Sequence, residues 1–424
     1  MDTEKLYSLL EREIEAVLPE VTELRREIHR NPEIRFEEEG TAGRIREFLS
    51  FPGIDFNEPF IGTDVTGIVR GERTGAQGAP PAVVLRADMD ALPLEDATEK
   101  EIRSRHPGRA HACGHDGHMA VLAGALKVLA RLNVSQELPG GLRGKVGFVF
   151  QPGEEEGMGA CKLLDAGLFE RGLLAGITDT RSAAGGTDTL RGPVIAALHA
   201  WPGMPAGSFA ARPGPYMAAA DRFVLTVTGA GGHGAMPHRA VDPVIAAAEL
   251  ILALQTIVSR RIDPTDPAVV TIGSVHGGKA DNVIPDRVEL KGTIRSFSDG
   301  VQSAIREEIG TITEGICRSA GCTWAITYSD SYPVLSNDFA VVEAVKETVL
   351  DVFGADRWFT GDSKSMGAED FACYLARMPG AMIRLGMGED SPSLHAPDFE
   401  FKEEALSPAI AFLSAFSVKT LERL

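Results

Sequence analysis

Hydrophobic residues recur at every third or fourth position along the first stretch of the chain. Leu6, Leu9, Leu10, Ile14, Val17, Leu18, Val21, Leu24 and Ile28 share one face of a helix, because side chains three and four apart lie on the same side. Asn31-Pro32 stops the pattern, since proline pushes the residue before it out of the helical region. From there to about Ala211, short apolar runs alternate with helical periods. Ala82 to Leu85, Lys145 to Phe150 and Val194 to Leu198 read as buried strands. His118 to Leu132 and Gly157 to Ala166 read as helices, the second closed by Gly167. Such alternation predicts an α/β layer architecture with a central, mostly parallel sheet.

Between about Pro213 and Pro333 the pattern changes. Phe223, Leu225 and Val227 alternate within Arg222 to Thr228, and Asp242-Pro243 is a strong helix start for a segment reaching about Ser259. Val269 to Val275 and Arg287 to Arg295 read as strands, Ser298 to Ser319 as a helix ended near Gly321, and Thr323 to Tyr328 as a strand. The order β-α-β-β-α-β is the ferredoxin-like α+β arrangement. Helical periodicity resumes from Asp338 to Phe353, closed by Gly354; a strand at Ala381 to Leu385 and a helix from about Glu404 follow. The expected organisation is one α/β domain, residues 1–212 and 334–424, interrupted by an inserted module at 213–333.

Composition narrows the function classes. The chain has 424 residues, 44% of them hydrophobic, and one core rarely grows past roughly 250–300 residues, so two domains fit. Apolar runs fall short of the ~18 residues that span a bilayer, which argues against a membrane protein. The acid-dotted N-terminal segment does not resemble a secretory signal. Five cysteines are few and odd in number, so thiols in a reducing compartment, the cytoplasm, are expected. A formal net charge of −18 repels phosphate backbones and anionic membranes, excluding nucleic acid and membrane surfaces as expected partners.

Chemistry is densest at His111-Ala-Cys113-Gly-His115-Asp116-Gly-His118, just before a hydrophobic helix, in a chain holding only ten histidines. Thiolate, imidazole and carboxylate donors suit borderline divalent ions such as Zn²⁺, Mn²⁺, Co²⁺ or Ni²⁺. Gln151-Pro-Gly-Glu154-Glu155-Glu156 follows a strand, at the end where α/β proteins bind ligands. In an irregular turn one glutamate can bind metal while its neighbour acts as a base. Asp88-Met-Asp90 and His199 also end strands; the two acids can hold a metal or orient a ligand histidine. Gly231-Gly232-His233-Gly234 is a glycine-rich loop of the inserted module.

Taken in order, HRNPE from His29, RADMDALP, HACGHDGHMA, QPGEEEGMGA, LHAWPGMPAG, GGHGAMPH, NVIPDRVELKGTIRS, GAEDF and SLHAPDFEF closely resemble the M20 metallopeptidases. They resemble most their amidohydrolase branch of N-acyl-amino-acid, hippurate and auxin-conjugate hydrolases. The resemblance implies a two-metal catalytic domain with an inserted dimerisation or lid domain, two divalent ions per subunit, a small N-acyl amino acid as substrate, and a homodimer. Carried over by motif, the metal ligands fall on Cys113, His115, Glu155, His199 and His395, and the general base on Glu154. Asp90 matches the acid supporting the metal site. His233 matches a histidine that reaches the partner subunit's active site, and Asn282 and Arg295 match residues gripping the substrate carboxylate. Two departures stand out. Glu156 occupies a position where relatives often have glycine, and the segment Glu170 to Gly192, with GGTDT inside it, is longer than in relatives.

The implied reaction is metal-assisted amide hydrolysis. Divalent ions lower the pKa of a bound water from about 16 towards about 7. Glu154 would take its proton and return it to the leaving amine. A cysteine hydrolase using Cys113 and His115 would leave the glutamates, His199 and His395 idle. A metallo-aminopeptidase or dipeptidase would need a group that reads a free α-amine. A non-catalytic metal-binding scaffold is disfavoured because Glu154 and every ligand are present.

Overall fold

The computed structural model describes residues 3–71, 82–98, 102–138, 141–177, 190 and 192–424. Most of the GGTDT segment therefore lies outside the described residues. The chain forms two compact units. One comprises Met1–Gly214, Ser336–Ser363 and Cys373–Leu424; the other comprises Pro215–Leu335 with Lys364–Ala372, a return that the sequence pattern does not reveal.

The first unit opens with α1 (Thr3–Arg30), which continues through Pro19 and buries Leu6, Leu10, Ile14, Val17, Val21 and Ile28. Then come α2 (Glu39–Phe48), β1 (Ile54–Phe56), β2 (Val65–Val69), β3 (Val83–Asp88), α3 (His115–Val134), β4 (Val146–Gln151), α4 (Glu154–Gly157), α5 (Gly159–Asp165), β5 (Val194–Trp201) and β6 (Phe209–Ala210). In the second unit run β7 (Ala219–Thr228), α6 (Pro243–Thr256), β8 (Ala268–Gly277), β9 (Arg287–Ser296), α7 (Asp299–Ala320) and β10 (Thr323–Tyr332). The first unit resumes with α8 (Phe339–Phe353), β11 (Gly380–Gly386) and α9 (Leu406–Arg423).

Its sheet has the order β1-β2-β4-β3-β5-β11-β6. The four strands β4, β3, β5 and β11 are parallel, while β1, β2 and β6 pair antiparallel at the edges. The sheet is thus mixed rather than mostly parallel. The edge strands β1 and β6 have three and two residues, too few for a periodic signal to show. Strands β3 and β4 are buried along their whole length, as expected for strands covered on both faces, and this explains their unbroken apolar runs.

In the second unit the four strands form one antiparallel sheet ordered β8-β9-β7-β10. One face packs under α6 and α7, with Ala246, Leu250, Leu254, Ile305 and Ile309 against Phe223, Leu225, Leu290 and Ile294. Asp242 caps α6 by accepting the Val244 N–H, and Gly321 closes α7 at positive φ. Helix α6 and the turn after it make a 19-residue segment, Pro243–Arg261, long and apolar enough to cross a membrane by length and composition. That corrects the expectation that no such run exists. Its apolar content serves two faces: one covers the sheet, while Ile245 and Leu252 stay 59% and 74% exposed.

A second correction concerns the cysteines. Cys161 on α5 and Cys373 form a disulfide across 212 residues, and Cys113, Cys317 and Cys322 are free and buried. A count cannot reveal a pair that distant in sequence.

Helix α1 is tied to the start of α3 by buried charge. Arg25 Nε donates to Asp116 Oδ2 (2.9 Å), Arg25 Nη1 donates to Glu403 Oε1 (3.0 Å), and His29 Nδ1 lies 2.9 Å from the same Asp116 oxygen. Burial opposes charge on His29, yet Asp116 and Asp96 outweigh it and raise its pKa to about 9. A folded pKa above the unfolded 6.5 gives stability that is full below pH 6.5 and is lost as pH rises through about 9. Stability should therefore decline across that window by up to on the order of 3 kcal/mol from this group. In His29→Gln the decline should flatten. Denaturant titrations at matched metal content check this, and parallel pH curves for both proteins would reject it.

Candidate metal centre

Strands β3, β4 and β5 end side by side, and the residues that follow or close them carry the chemistry. β3 delivers Asp88 and Asp90, β4 leads into the glutamate turn, and β5 holds His199 near its end. Helix α3 begins at His115. His395 lies on a loop before α9, in a left-handed conformation (φ 65), with its N–H donating to the Ala112 carbonyl at 2.8 Å.

Hydrogen bonds fix the ring nitrogens. His115 Nδ1 donates to the Asp90 carbonyl (2.8 Å), leaving Nε2 buried without a hydrogen-bond partner. That Nε2 lies 3.7 Å from Asp88 Oδ2 and 3.9 Å from Glu155 Oε1. His199 Nδ1 donates to the Ala200 carbonyl (2.8 Å), so its Nε2 lone pair faces Cys113 Sγ at 3.7 Å. His395 Nε2 is 3.2 Å from Glu155 Oε1, its side chain about half exposed. Donor atoms of Cys113, His115 and His199 lie within 4.8 Å of one another, as do those of Cys113, Glu155 and His395, and those of His115, Glu154 and Glu155. All five expected ligands and the expected base are thus gathered in overlapping triplets.

Electrostatics follow from burial among acids. Burial, then Glu155 and Glu154, push the Cys113 thiol well above its usual range. Burial disfavours charge on His115, but Asp88, Asp90 and Glu155 outweigh it and lift the pKa to about 10. Burial, reinforced by His118, drops His199 to about 3. Lone pairs crowded into a buried, acid-rich pocket are matched by a cation. The donor set of thiol, imidazoles and carboxylate fits divalent ions.

Asp90 works from behind. Its carboxylate accepts the N–H of Glu154 (2.9 Å) and of Glu155 (3.1 Å). His118 has both nitrogens engaged: Nε2 accepts the Ala200 N–H (2.7 Å), and Nδ1 donates to Asp88 Oδ1 (2.7 Å). Asp88 also receives Arg86 Nη1 (2.8 Å). Sequence reasoning left Asp88 open between ligand and orienting group and gave His118 no task; spacing shows which residues are near, not which way each nitrogen faces. Glu156 turns outward to an ion pair with Arg35, which accounts for the extra charge beside the glutamate pair.

The second unit holds the remaining three expected residues. His233 and Asn282 line one cavity of about 880 Å³ together with Lys279 and Ile284, brought together because His233 pairs with Val283 across a two-residue ladder. The Ala235 N–H donates to His233 Nδ1 (3.1 Å), which places that ring's proton on Nε2. Arg295 lies on β9, outside that lining, half-buried, with Nη1 donating to the Ile294 carbonyl (2.9 Å).

Gly117, inside the histidine cluster, has a packing reason. A Cβ there would meet the Phe401 ring at 2.1 Å. Alanine usually favours a helix over glycine by about 1 kcal/mol. Here Gly117→Ala should instead destabilise by about 1–3 kcal/mol, as overpacked cores do, and Phe401→Ala in the same chain should remove part of that penalty. Thermal melts of the single and double variants test it; a Gly117→Ala protein more stable than the parent would refute it.

Comparison with known proteins adds the following. The profile of Peptidase family M20/M25/M40 matches residues 84–419. The chain is 35% identical over 399 residues to the N-acetyl-L-cysteine deacetylase of Bacillus subtilis strain 168, covering 94% of this chain and 88% of that one. It is 35% identical over 407 residues to the IAA-amino acid hydrolase ILR1-like 2 of Arabidopsis thaliana, covering 95% and 85%. Among solved structures, the Bacillus subtilis YXEP protein, described as a dinuclear metal-binding peptidase, superposes with a TM-score of 0.77 at 30% identity, covering 97% of this chain and all of that one.

Proposed function

The chain belongs to Peptidase family M20/M25/M40, and from that premise we propose that it is a metal-dependent amidohydrolase that cleaves N-acyl-L-amino acids to a carboxylic acid and a free amino acid. The carrying observation is the pair of triplets that share Cys113, beside Glu154. Relatives named for deacetylation of N-acetyl-L-cysteine and hydrolysis of IAA-amino acids point to the same bond.

On this reading Cys113, His115 and His199 would hold one divalent ion and Cys113, Glu155 and His395 a second, with Cys113 shared. Bound there, the ions would supply Lewis acidity and a water that ionises near neutral pH. Glu154 takes the proton of the attacking water and passes it to the leaving nitrogen. Asp90 orients His115 and holds the backbone from which both glutamates project. His233, with its proton on Nε2, offers a donor to the oxyanion of the tetrahedral intermediate. The planar fork of Arg295 would bind the carboxylate of the amino-acid half, and Asn282, which shares the separate His233 cavity, would reach that carboxylate together with His233. A cysteine nucleophile is disfavoured on physical grounds: such a thiol needs a depressed pKa. Here burial and two glutamates push Cys113 up instead.

The inserted unit, read as a ferredoxin-like lid and dimerisation domain, would pair two copies. Support comes from β8, an open edge of its sheet, and from the exposed Ile245 and Leu252 on α6. We place the enzyme in the cytoplasm, where Cys161 and Cys373 would be the residues to watch; alkylation of intact cells followed by mass spectrometry reads whether they are joined.

Chelation should abolish amide hydrolysis, and added Zn²⁺, Mn²⁺, Co²⁺ or Ni²⁺ should restore it. Glu154→Gln should lower kcat by about 10²–10⁴-fold, the usual worth of a general base, with metal content intact. Full activity in protein shown to be metal-free would overturn the assignment. For the dimer, mixing inactive Glu154→Gln and His233→Ala proteins should restore partial activity through hybrid dimers. With subunit exchange verified by labelling, no recovery means that His233 does not act across an interface.

A further inference from the structure

Three successive backbone N–H groups, those of Gly153, Glu154 and Glu155, are taken by two buried carboxylates. Asp90 accepts the second and third; the first goes to Glu38 Oε1 at 3.1 Å. Glu38 immediately precedes α2 and has no solvent exposure. Its other oxygen accepts the Thr63 hydroxyl at 2.8 Å. We propose that Glu38 is a positioning residue for the catalytic turn, fixing the Gly153 peptide and thereby aiming Glu154. This rests on the reading of Glu154 as the base.

Two independent features support it. The same short segment grips the turn a second time through Phe36. A Cβ on Gly153 would meet the Phe36 ring at 2.7 Å, and one on Gly157 would meet it at 2.7 Å as well. Phe36 itself lies at positive φ (61°), and Gly153 is left-handed (φ 65°). Ring and carboxylate thus clamp both ends of the four-residue α4 from outside. The second feature is electrostatic cost. Burial, despite the Thr63 hydrogen bond, and the nearby Asp90 charge raise Glu38 to about 7. An acid in so unfavourable a place contributes little to stability, so its use lies in the contact it makes. Glu155 is held further by His395 at 3.2 Å. Loosening the Gly153 peptide therefore bears more on Glu154, the residue directly after it.

The test uses the full metal-loaded chain with N-benzoylglycine and N-acetyl amino acids as probes. Glu38→Ala should lower kcat by about tenfold to a hundredfold, the scale of a 1 Å misplacement, with KM within about twofold and metal content unchanged. Hydrogen exchange across 153–157 should quicken. Glu38→Gln keeps an oxygen acceptor for the Gly153 N–H and should recover most of kcat. Thr63→Val, which frees only the far oxygen, should give a smaller loss of the same kind and serves if Glu38→Ala does not fold. Parental kcat and exchange in Glu38→Ala, or in Thr63→Val where Glu38→Ala does not fold, overturn the proposal. So does a Glu38→Gln protein as impaired as Glu38→Ala. If the parent enzyme is inert towards every probe but exchange still quickens in Glu38→Ala, the amidohydrolase reading fails and the positioning role stands.

Discussion

One residue holds the site's geometry together. Asp90 accepts the His115 ring N–H on its backbone carbonyl and the N–H groups of Glu154 and Glu155 on its carboxylate. A ligand from α3 and the two glutamates of the β4 turn are therefore set by a single residue that follows β3. Hydrogen bonds to an ionised acceptor are shorter and stronger than neutral ones, and burial makes their loss costly. The relative placement of three chemical groups thus depends on one residue that need not touch the substrate, its carboxylate holding the two glutamates and its carbonyl holding His115.

A second tie runs beneath it. His118 joins Asp88, at the end of β3, to the backbone of Ala200 on β5, and Arg86 joins β3 to Gln151 on β4 through its Nε (2.9 Å). Parallel strands are linked by distant crossovers rather than hairpins, so their ends have no local device to hold register near a site. Here the first turn of α3 and one buried arginine supply it. Asp88 accepts hydrogen bonds from two sides, from Arg86 and from His118. A buried carboxylate already shared between two donors is better suited to orienting neighbours than to holding an ion, which distinguishes it from Glu155.

The inserted unit obeys a different logic. Its strands alternate because one face is covered by α6 and α7 and the other is not. Helix α6 departs from the amphipathic rule, exposing Val244, Ile245 and Leu252 on its outward face beside Glu249 and Gln255. Large apolar side chains exposed together call for a covering surface. The open edge of β8 in the same unit asks for the same thing through unpaired backbone groups. One symmetric contact can answer both demands, which is why the proposed dimer is placed on this unit and not on the other.

Much of this was legible in the chain, and what was not shares a cause. Long periodic segments, α1, α3, α7 and α8, and apolar strands such as β3 and β4 write their environment into local spacing. The edge strands β1 and β6 do not, because two or three residues carry no period. The ligand set was legible because a thiol, imidazoles and carboxylates cluster at strand ends, where loops converge. The orientation of each ring was not. Whether a histidine offers a lone pair or a proton depends on the group behind it: the Asp90 carbonyl for His115, the Ala200 carbonyl for His199, the Ala200 amide for His118. These partners come from other segments of the chain, and a backbone carbonyl looks the same in every residue. Glu38 illustrates the limit most sharply. In sequence it is the middle of three adjacent glutamates where a helix starts, and a charge run of that kind is usually solvated. Only the fold shows that the third turns outward while the second is sealed under Gly153. Identical residue types one position apart thus have opposite environments, and the difference lies in partners from distant segments, Gly153 and Thr63 for Glu38, which no local pattern encodes.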